Sequence, residues 1–195
     1  SKQYLRASNG MLEHNCDLLI IGAGATGSSV AYEATKRGLR VALIDAGDIG
    51  GGTSCRSTKL LHGGVRYLEL AFKTFDLAQL KLVREALIER GHWLRQAPFL
   101  AHRLNLALPT KNFCSQAYYR IGLEIYESLS GKESLGSSQL LSGNKVRKAW
   151  PLLDNHYNGG VSYSDGQFDD ARLNLLLALT AEKGGAILRN HCKLL

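Results

Sequence analysis

The chain has 195 residues, 45% of them hydrophobic, with 21 glycines against three prolines and a formal net charge of +7. This composition excludes wholesale disorder and favours tight turns over extended linkers. The charge suits an anionic ligand or an acidic membrane surface; nucleic acid ranks last, because the basic residues are dispersed without a zinc-finger spacing or a basic tract.

Residues 1–16 are polar and irregular and read as a loose N-terminal arm. Leu18 to Ile21 form a continuous apolar run, as in a parallel strand buried on both faces. ATGSSVAYEATKRG (25–38) reads as a helix stopped by Gly38, and LRVALID (39–45) as a second buried strand. The three make a βαβ unit with a right-handed crossover. TFDLAQLKLVREALIERGHWLRQA (74–97) predicts a long amphipathic helix, with Leu77, Leu80, Val83, Leu87 and Leu94 at helical spacing and Pro98 beyond its end. RLNLALP (103–109) predicts a strand. QAYYRIGLEIYESLSG (116–131) predicts a helix with Tyr118, Ile121, Ile125 and Leu129 near one face, and 131–143 predicts a loop. YNGGVSYSDGQFD (157–169) reads as strand and turns. DDARLNLLLALTAEKGG (169–185) predicts a helix capped by Asp169 or Asp170, with Arg172 as a partner for one of them. ILRNHCKLL (187–195) is a final strand, and Trp150 before Pro151 reads as a packing anchor at a helix end.

Several chemistries find no support. Cys16, Cys55, Cys114 and Cys192 include no CxxC pair, and His14, His92, His102, His156 and His191 form no ligand-like cluster, so no metal is expected. Nothing resembles a secretory signal, which fits a reducing compartment. No apolar run approaches the ~18 residues that span a bilayer, so membrane association of this segment is expected to be peripheral. The opening without methionine and the apolar last strand read as the ends of a portion cut from a longer chain.

GAGATG (22–27) matches G-x-G-x-x-G between a buried strand and a helix, the context that marks dinucleotide binding. Gly22 permits the tight turn, Gly24 lets backbone approach a pyrophosphate, and Gly27 lets helix pack on strand. Ala25 and Thr26 complete the turn, whose helix N-terminus offers N–H groups to phosphate. Asp45, with Ala46 after it, ends the second strand about twenty residues downstream, where a carboxylate accepts from adenosine ribose hydroxyls and disfavours a 2′-phosphate. Asp45 reads alternatively as a turn cap, and Asp48 is a neighbouring candidate. NAD and FAD both satisfy this fingerprint.

The loop GGTSCRSTKLLHGGVRYLE (51–69) is too polar for a core strand and too rich in glycine for an ordinary helix. From Gly52 to Glu69 it resembles FAD-dependent glycerol-3-phosphate dehydrogenase, whose members carry GTSSRSTKLIHGGLRYLE after the fingerprint. REALIERG (84–91), RIGLEIYESLSGK (120–132) and FDDARLN (168–174) extend the resemblance from about Asp17 to the last residue.

The resemblance implies FAD as cofactor, sn-glycerol 3-phosphate as substrate and dihydroxyacetone phosphate as product. It implies membrane quinone as electron acceptor, or oxygen in the related oxidases. The implied site is cytoplasmic or peripheral on the inner membrane, with room for a homodimer. The hydroxyls of Thr53, Ser54, Ser57 and Thr58 suit phosphate or flavin carbonyls. Backbone from Lys59 through Leu60, His62 and Gly63 suits the flavin ring, where Gly63 and Gly64 leave space. Lys59 and Arg56 add charge beside a pyrophosphate or reduced flavin, Arg56 reading equally as a solvated residue. Cys55 stands where the family usually has Ser. His62 either accepts the substrate's hydroxyl proton or contacts the flavin. Arg66 and Tyr67 match a substrate-site pair, the arginine fork suiting a phosphomonoester unless it pairs with Glu69. A glycine- or sarcosine-oxidase-type flavoenzyme and a non-catalytic dinucleotide module are the other readings.

The expected fold is α/β, a Rossmann-like FAD-binding domain of the glutathione-reductase type with an inserted substrate-domain segment. The expected boundaries are 17–97 for the first part of the FAD domain, 98–165 for the substrate segment and 166–195 for the FAD domain continued. Because family members are much longer, the isolated residues are expected to bind FAD poorly and not to turn over.

Overall fold

The computed structural model describes residues 5–7, 10–12, 15–64, 74, 76–154 and 156–194. Its first elements differ from the irregular arm read in the sequence: Leu5–Ala7 (β1) pairs antiparallel with Gly10–Leu12 (β2) in a short hairpin. The chain then divides into two units, one of residues 1–59 with 169–195 and the other of residues 60–168.

The first unit is built on parallel strands. Leu18–Ile21 (β3) pairs with Val41–Ile44 (β4), which pairs with Ile187–Arg189 (β9). β4 lies in the middle and all four of its residues are buried, as a continuous apolar run requires. β3 departs from the expectation of burial on both faces: it is an edge of this three-stranded sheet, and Ile21 is 61% exposed. β9 is shorter than the apolar tail suggested and ends at Arg189.

Helix Ala25–Lys36 (α1) connects β3 to β4, and helix Asp170–Lys183 (α5) leads into β9. Ala31 and Ala34 of α1, Ala178 and Ala181 of α5, and Val41, Leu43 and Ala186 form one buried cluster. Four small side chains let the two helices approach closely, since interaxial distance follows the residues at the contact. The side-chain hydrogen bond from Arg40 to Asp17 holds that carboxyl down at about 2. It closes the open end of the β3–β4 pair, where both side chains are exposed.

The second unit centres on Gly159–Phe168 (β8), ten residues of continuous strand where strand and turns were expected. Ala101–Thr110 (β6) pairs antiparallel with it along its full length. Leu60–Leu61 (β5) and Gln139–Ser142 (β7) share its other edge, β7 falling within the expected loop 131–143. Among the described residues, helices Leu77–Gln96 (α2), Phe113–Ser128 (α3) and Gly143–Ala149 (α4) belong to this unit. Trp150 is the C-cap of α4; it is 44% exposed and lines a cavity of about 150 Å³ with Leu108, Pro109, Val146 and Leu153.

The buried face of α3 differs from the apolar stripe of the sequence. Tyr118 and Ile121 are more than half exposed, while Leu123, Tyr126 and Glu127 are buried. The reason is polar. Gln116 donates from Nε2 to Leu141 O (2.9 Å) and Gly160 O (2.7 Å), and Tyr126 and Glu127 meet buried partners, so hydrogen bonds choose the face.

The unit boundaries fall at 59/60 and 168/169, where the sequence reading placed them at 97/98 and 165/166. β5 pairs with β8, and Val83 and Leu87 of α2 pack on Tyr126, so residues 60–97 group with the second unit. Within α2 the expected stripe holds at Leu80, Val83 and Leu87, but Leu77 is 81% exposed, one residue past the N-cap Asp76. Leu87→Ala should therefore cost about 2–5 kcal/mol in denaturant unfolding, whereas Leu77→Ala should stay within about 0.5 kcal/mol of wild type.

Candidate functional site

The glycine turn joins β3 to α1. Gly22 has φ +101°, and its N–H donates to Ile44 O (2.8 Å). A Cβ on Gly27 would lie 1.8 Å from Gly22 O, so only glycine allows the helix to start this close to the strand. A Cβ on Gly24 would lie 2.8 Å from Ser54 Oγ. Gly24 is the N-cap of α1 and has no side chain with which to cap it. Ser54 Oγ instead accepts from the Ala25 N–H (2.9 Å). Ser28 N–H closes the first bond of the helix, onto Gly24 O (2.9 Å), and among the described residues the Thr26 and Gly27 amides meet no acceptor.

Ala23, fully buried, organises the turn. Its N–H donates to Asp45 Oδ2 (2.6 Å), and Asp45 Oδ1 accepts from the Gly47 N–H (2.8 Å). Its carbonyl accepts from Gly50 N–H (2.9 Å), Asn174 Nδ2 (2.9 Å) and Ser28 Oγ (3.3 Å). Asp45 thus stands beside the glycine turn and caps it, and the carboxylate keeps lone pairs for other donors. Ala46 next to it is exposed.

The hydroxyl-rich loop follows as a 3₁₀ turn, Thr53–Cys55, and bends back at Lys59, whose φ of +60° is rare for a side-chain-bearing residue. Asp170, buried on α5, holds the bend. Its Oδ2 accepts from Ser57 N–H (2.9 Å) and Ser57 Oγ (2.7 Å), its Oδ1 from Lys59 Nζ (2.9 Å). Burial pushes the Asp170 carboxyl up, but the donors from Lys59, Ser57 and Ala171 outweigh it and hold the group well below the usual carboxylate range. Asp169, and not Asp170, is the N-cap: its Oδ1 accepts from the Arg172 N–H (3.0 Å).

In the second unit, His62 is exposed and Gly63 buried, just beyond β5. Gly63 N–H donates to Tyr126 Oη (2.6 Å), and Tyr126 Oη donates to Asp165 Oδ2 (3.3 Å). Asp165 Oδ1 also accepts from Arg90 Nη1 (3.0 Å), and the other face of that buried guanidinium meets Glu127. Burial raises the Asp165 carboxyl, while Arg90 and the charge of His62 act in the opposite sense. Burial also raises Tyr126 and carries Tyr163 up to about 12. Arg66 and Tyr67 lie outside the described residues.

Gly22, Gly24, Ala25, Thr26, Gly27, Asp45, Ala46, Thr53, Ser54, Ser57 and Lys59 all belong to the first unit, and Leu60, His62 and Gly63 to the second. Sequence reasoning missed Asn174, Tyr126, Arg90 and Asp165, and it read Asp169 or Asp170 as the cap of α5, giving Asp170 no other part. Four of these five, Arg90, Tyr126, Asp170 and Asn174, lie in segments quoted for the family resemblance. Among the described residues no cluster has the makeup of a metal site, and no helix is long and apolar enough to cross a membrane.

A family model for FAD dependent oxidoreductases matches residues 17–195. The chain belongs to that family. It is 44% identical to human mitochondrial glycerol-3-phosphate dehydrogenase over 176 residues, which are 90% of this chain and 24% of that protein. It is 45% identical to the mitochondrial glycerol-3-phosphate dehydrogenase of Saccharomyces cerevisiae over 179 residues, 91% of this chain and 28% of that protein. The crystal structure of glycerol-3-phosphate dehydrogenase from Bacillus halodurans complexed with FAD matches with a TM-score of 0.60 at 27% identity, covering 92% of this chain and 27% of that one. The chain spans about a quarter of the length of the curated relatives it matches.

The mixed α/β architecture is the FAD-binding fold of this family. The turn fits such a cofactor: the Thr26 and Gly27 amides are open, and Gly24 at the N-cap carries no side chain. Gly27→Ala should abolish FAD retention on gel filtration, whereas Gly52→Ala, where a Cβ meets nothing within 4 Å, should retain it. A second test follows from Asp170. Its native pKa is depressed, so its stabilising effect is complete above the unfolded carboxyl's pKa, about 4. It is lost as pH falls through the native value. The gap in thermal midpoint between wild type and Asp170→Asn should be constant from neutral pH to that point and shrink below it.

Proposed function

We propose that this chain forms the nucleotide-binding portion of a glycerol-3-phosphate dehydrogenase, which oxidises sn-glycerol 3-phosphate to dihydroxyacetone phosphate and passes the electrons to membrane quinone. The observation that carries this reading is the Ser54 hydroxyl on the first amide of α1, which seats the hydroxyl-rich loop on the glycine turn within one unit. The identity to glycerol-3-phosphate dehydrogenases supports the choice of substrate. In this reading the protein acts at a membrane surface, cytoplasmic or inner-membrane-associated, and pairs as a homodimer.

Gly22, Gly24, Ala25, Thr26 and Gly27 hold the cofactor's diphosphate with backbone alone, and Asp45 with Ala46 receives the adenosine ribose. Thr53, Ser54, Ser57, Lys59, Leu60, His62 and Gly63 line the flavin. Bound, FAD supplies the two-electron oxidant for a secondary alcohol. Oxidation also requires that the hydroxyl proton leave, and an imidazole nitrogen of His62 takes it. Arg66 forks onto the substrate phosphate, and Tyr67 donates beside it.

The test is spectroscopic. Added anaerobically to the flavin-loaded full-length enzyme, sn-glycerol 3-phosphate should bleach the flavin absorbance, and glycine or sarcosine should not. A soluble quinone should then restore the colour much faster than oxygen; the reverse order would assign an oxidase. His62→Ala should slow bleaching by roughly 10²–10⁴-fold. An unchanged rate would leave His62 only a contact to the flavin.

A further inference from the structure

We propose that Asp170 is a positioning residue for the cofactor loop, and that Lys59 serves it as a clamp and not as a counter-charge to the cofactor. This rests on the assignment of residues 53–59 to the FAD site.

Asp170 is 4% exposed, and the N-cap bond of α5 is made by its neighbour Asp169. Besides the Ala171 N–H (2.8 Å), the Asp170 carboxylate is committed to the loop, through Ser57 N–H, Ser57 Oγ and Lys59 Nζ. Ser57 Oγ in turn accepts from the Lys59 N–H (2.9 Å), which fixes its hydrogen on Asp170. Lys59 Nζ makes a second bond, to Cys55 O (3.3 Å), so the ammonium ties the start of the bend to its end. Three of these bonds converge on the one described residue of the loop whose φ is +60°. A backbone conformation this rarely adopted by L residues persists only where its surroundings over-determine it.

The charges decide the rest. The Lys59 side chain is 48% exposed and its partner 3%, so the ammonium is matched by a carboxylate already out of water. The Lys59 charge is thereby offset, and the loop's hydroxyls and amides remain to meet a ligand. Ser54 illustrates the point: its oxygen accepts from Ala25, and its hydrogen remains for a ligand oxygen.

The two roles for Lys59 predict opposite signs. Were the ammonium a counter-charge, Asp170→Asn would release it toward the cofactor and tighten FAD. As a clamp, it loses its anchor and FAD weakens. The experiment measures FAD dissociation from the flavin-loaded protein by recovery of flavin fluorescence, with visible circular dichroism of the bound flavin. Asp170→Asn and Lys59→Met should each weaken FAD by about tenfold or more. The double variant should be no weaker than either single, because both break one unit. The flavin dichroism should change in the same way in all three, which a general loss of stability would not produce.

FAD bound as tightly or more tightly by Asp170→Asn overturns the proposal, as do effects that multiply in the double variant. Should Asp170→Asn fail to fold, Ser57→Ala tests the same anchor: several-fold weaker FAD supports it, and unchanged affinity overturns it. The readout is flavin affinity alone. A protein that holds FAD but is not bleached by sn-glycerol 3-phosphate would sink the proposed reaction and leave this inference standing.

Discussion

The peptide of Ala23 is the joint on which the first unit depends. A buried peptide must find partners for both its polar groups or lose much of the stability that burial provides. Here the N–H is met by Asp45 at the tip of β4, and the carbonyl by Gly50 from the following loop, Ser28 from α1 and Asn174 from α5. Four separate stretches of chain are thereby fixed to the end of β3. The glycines around this residue follow from that arrangement: Gly22 turns the chain, and Gly27 admits the helix at a distance no larger residue tolerates. The amides that any helix leaves open at its start are, in α1, held beside this joint.

The second unit solves a costlier burial problem. Arg90 is fully buried, and a guanidinium taken out of water is tolerable only with matched acceptors. Asp165 and Glu127 accept from its two terminal nitrogens, while Nε meets no acceptor among the described residues, and Tyr126 shares the Asp165 carboxylate. Direction then propagates. Because Tyr126 Oη receives the Gly63 N–H, its own hydrogen is directed to Asp165, which accepts from both Tyr126 and Arg90. The backbone just after His62 is thus fixed by charges deep in the unit.

How much of this was legible in the sequence follows from the range of each interaction. The βαβ unit, the glycine turn and the place of Asp45 were readable, because apolar runs, glycine spacing and strand length are local signals. The loop 51–69 was recognisable by its residues, but its anchor was not: Ser57 and Asp170 are 113 positions apart. Arg90 and Asp165 are 75 apart, and an arginine in a helical stretch looks solvated until its partner is known. The face of α3 was misread for the same reason. Hydrophobic spacing favoured Tyr118 and Ile121, whereas Gln116, Tyr126 and Glu127 had polar partners to reach. Lys59 looked like spare positive charge because its carboxylate is remote in the chain.

The ion pair between Lys59 and Asp170 has one more consequence. Lys59 is where the chain departs from the nucleotide unit, and Asp169–Asp170 is where it comes home. Departure and homecoming are stapled together on one side, so everything between them is an excursion from a single spot. Lengthening such an excursion adds little closure entropy, because its two feet are already together. The excursion can therefore change in length without disturbing the turn at the start of α1.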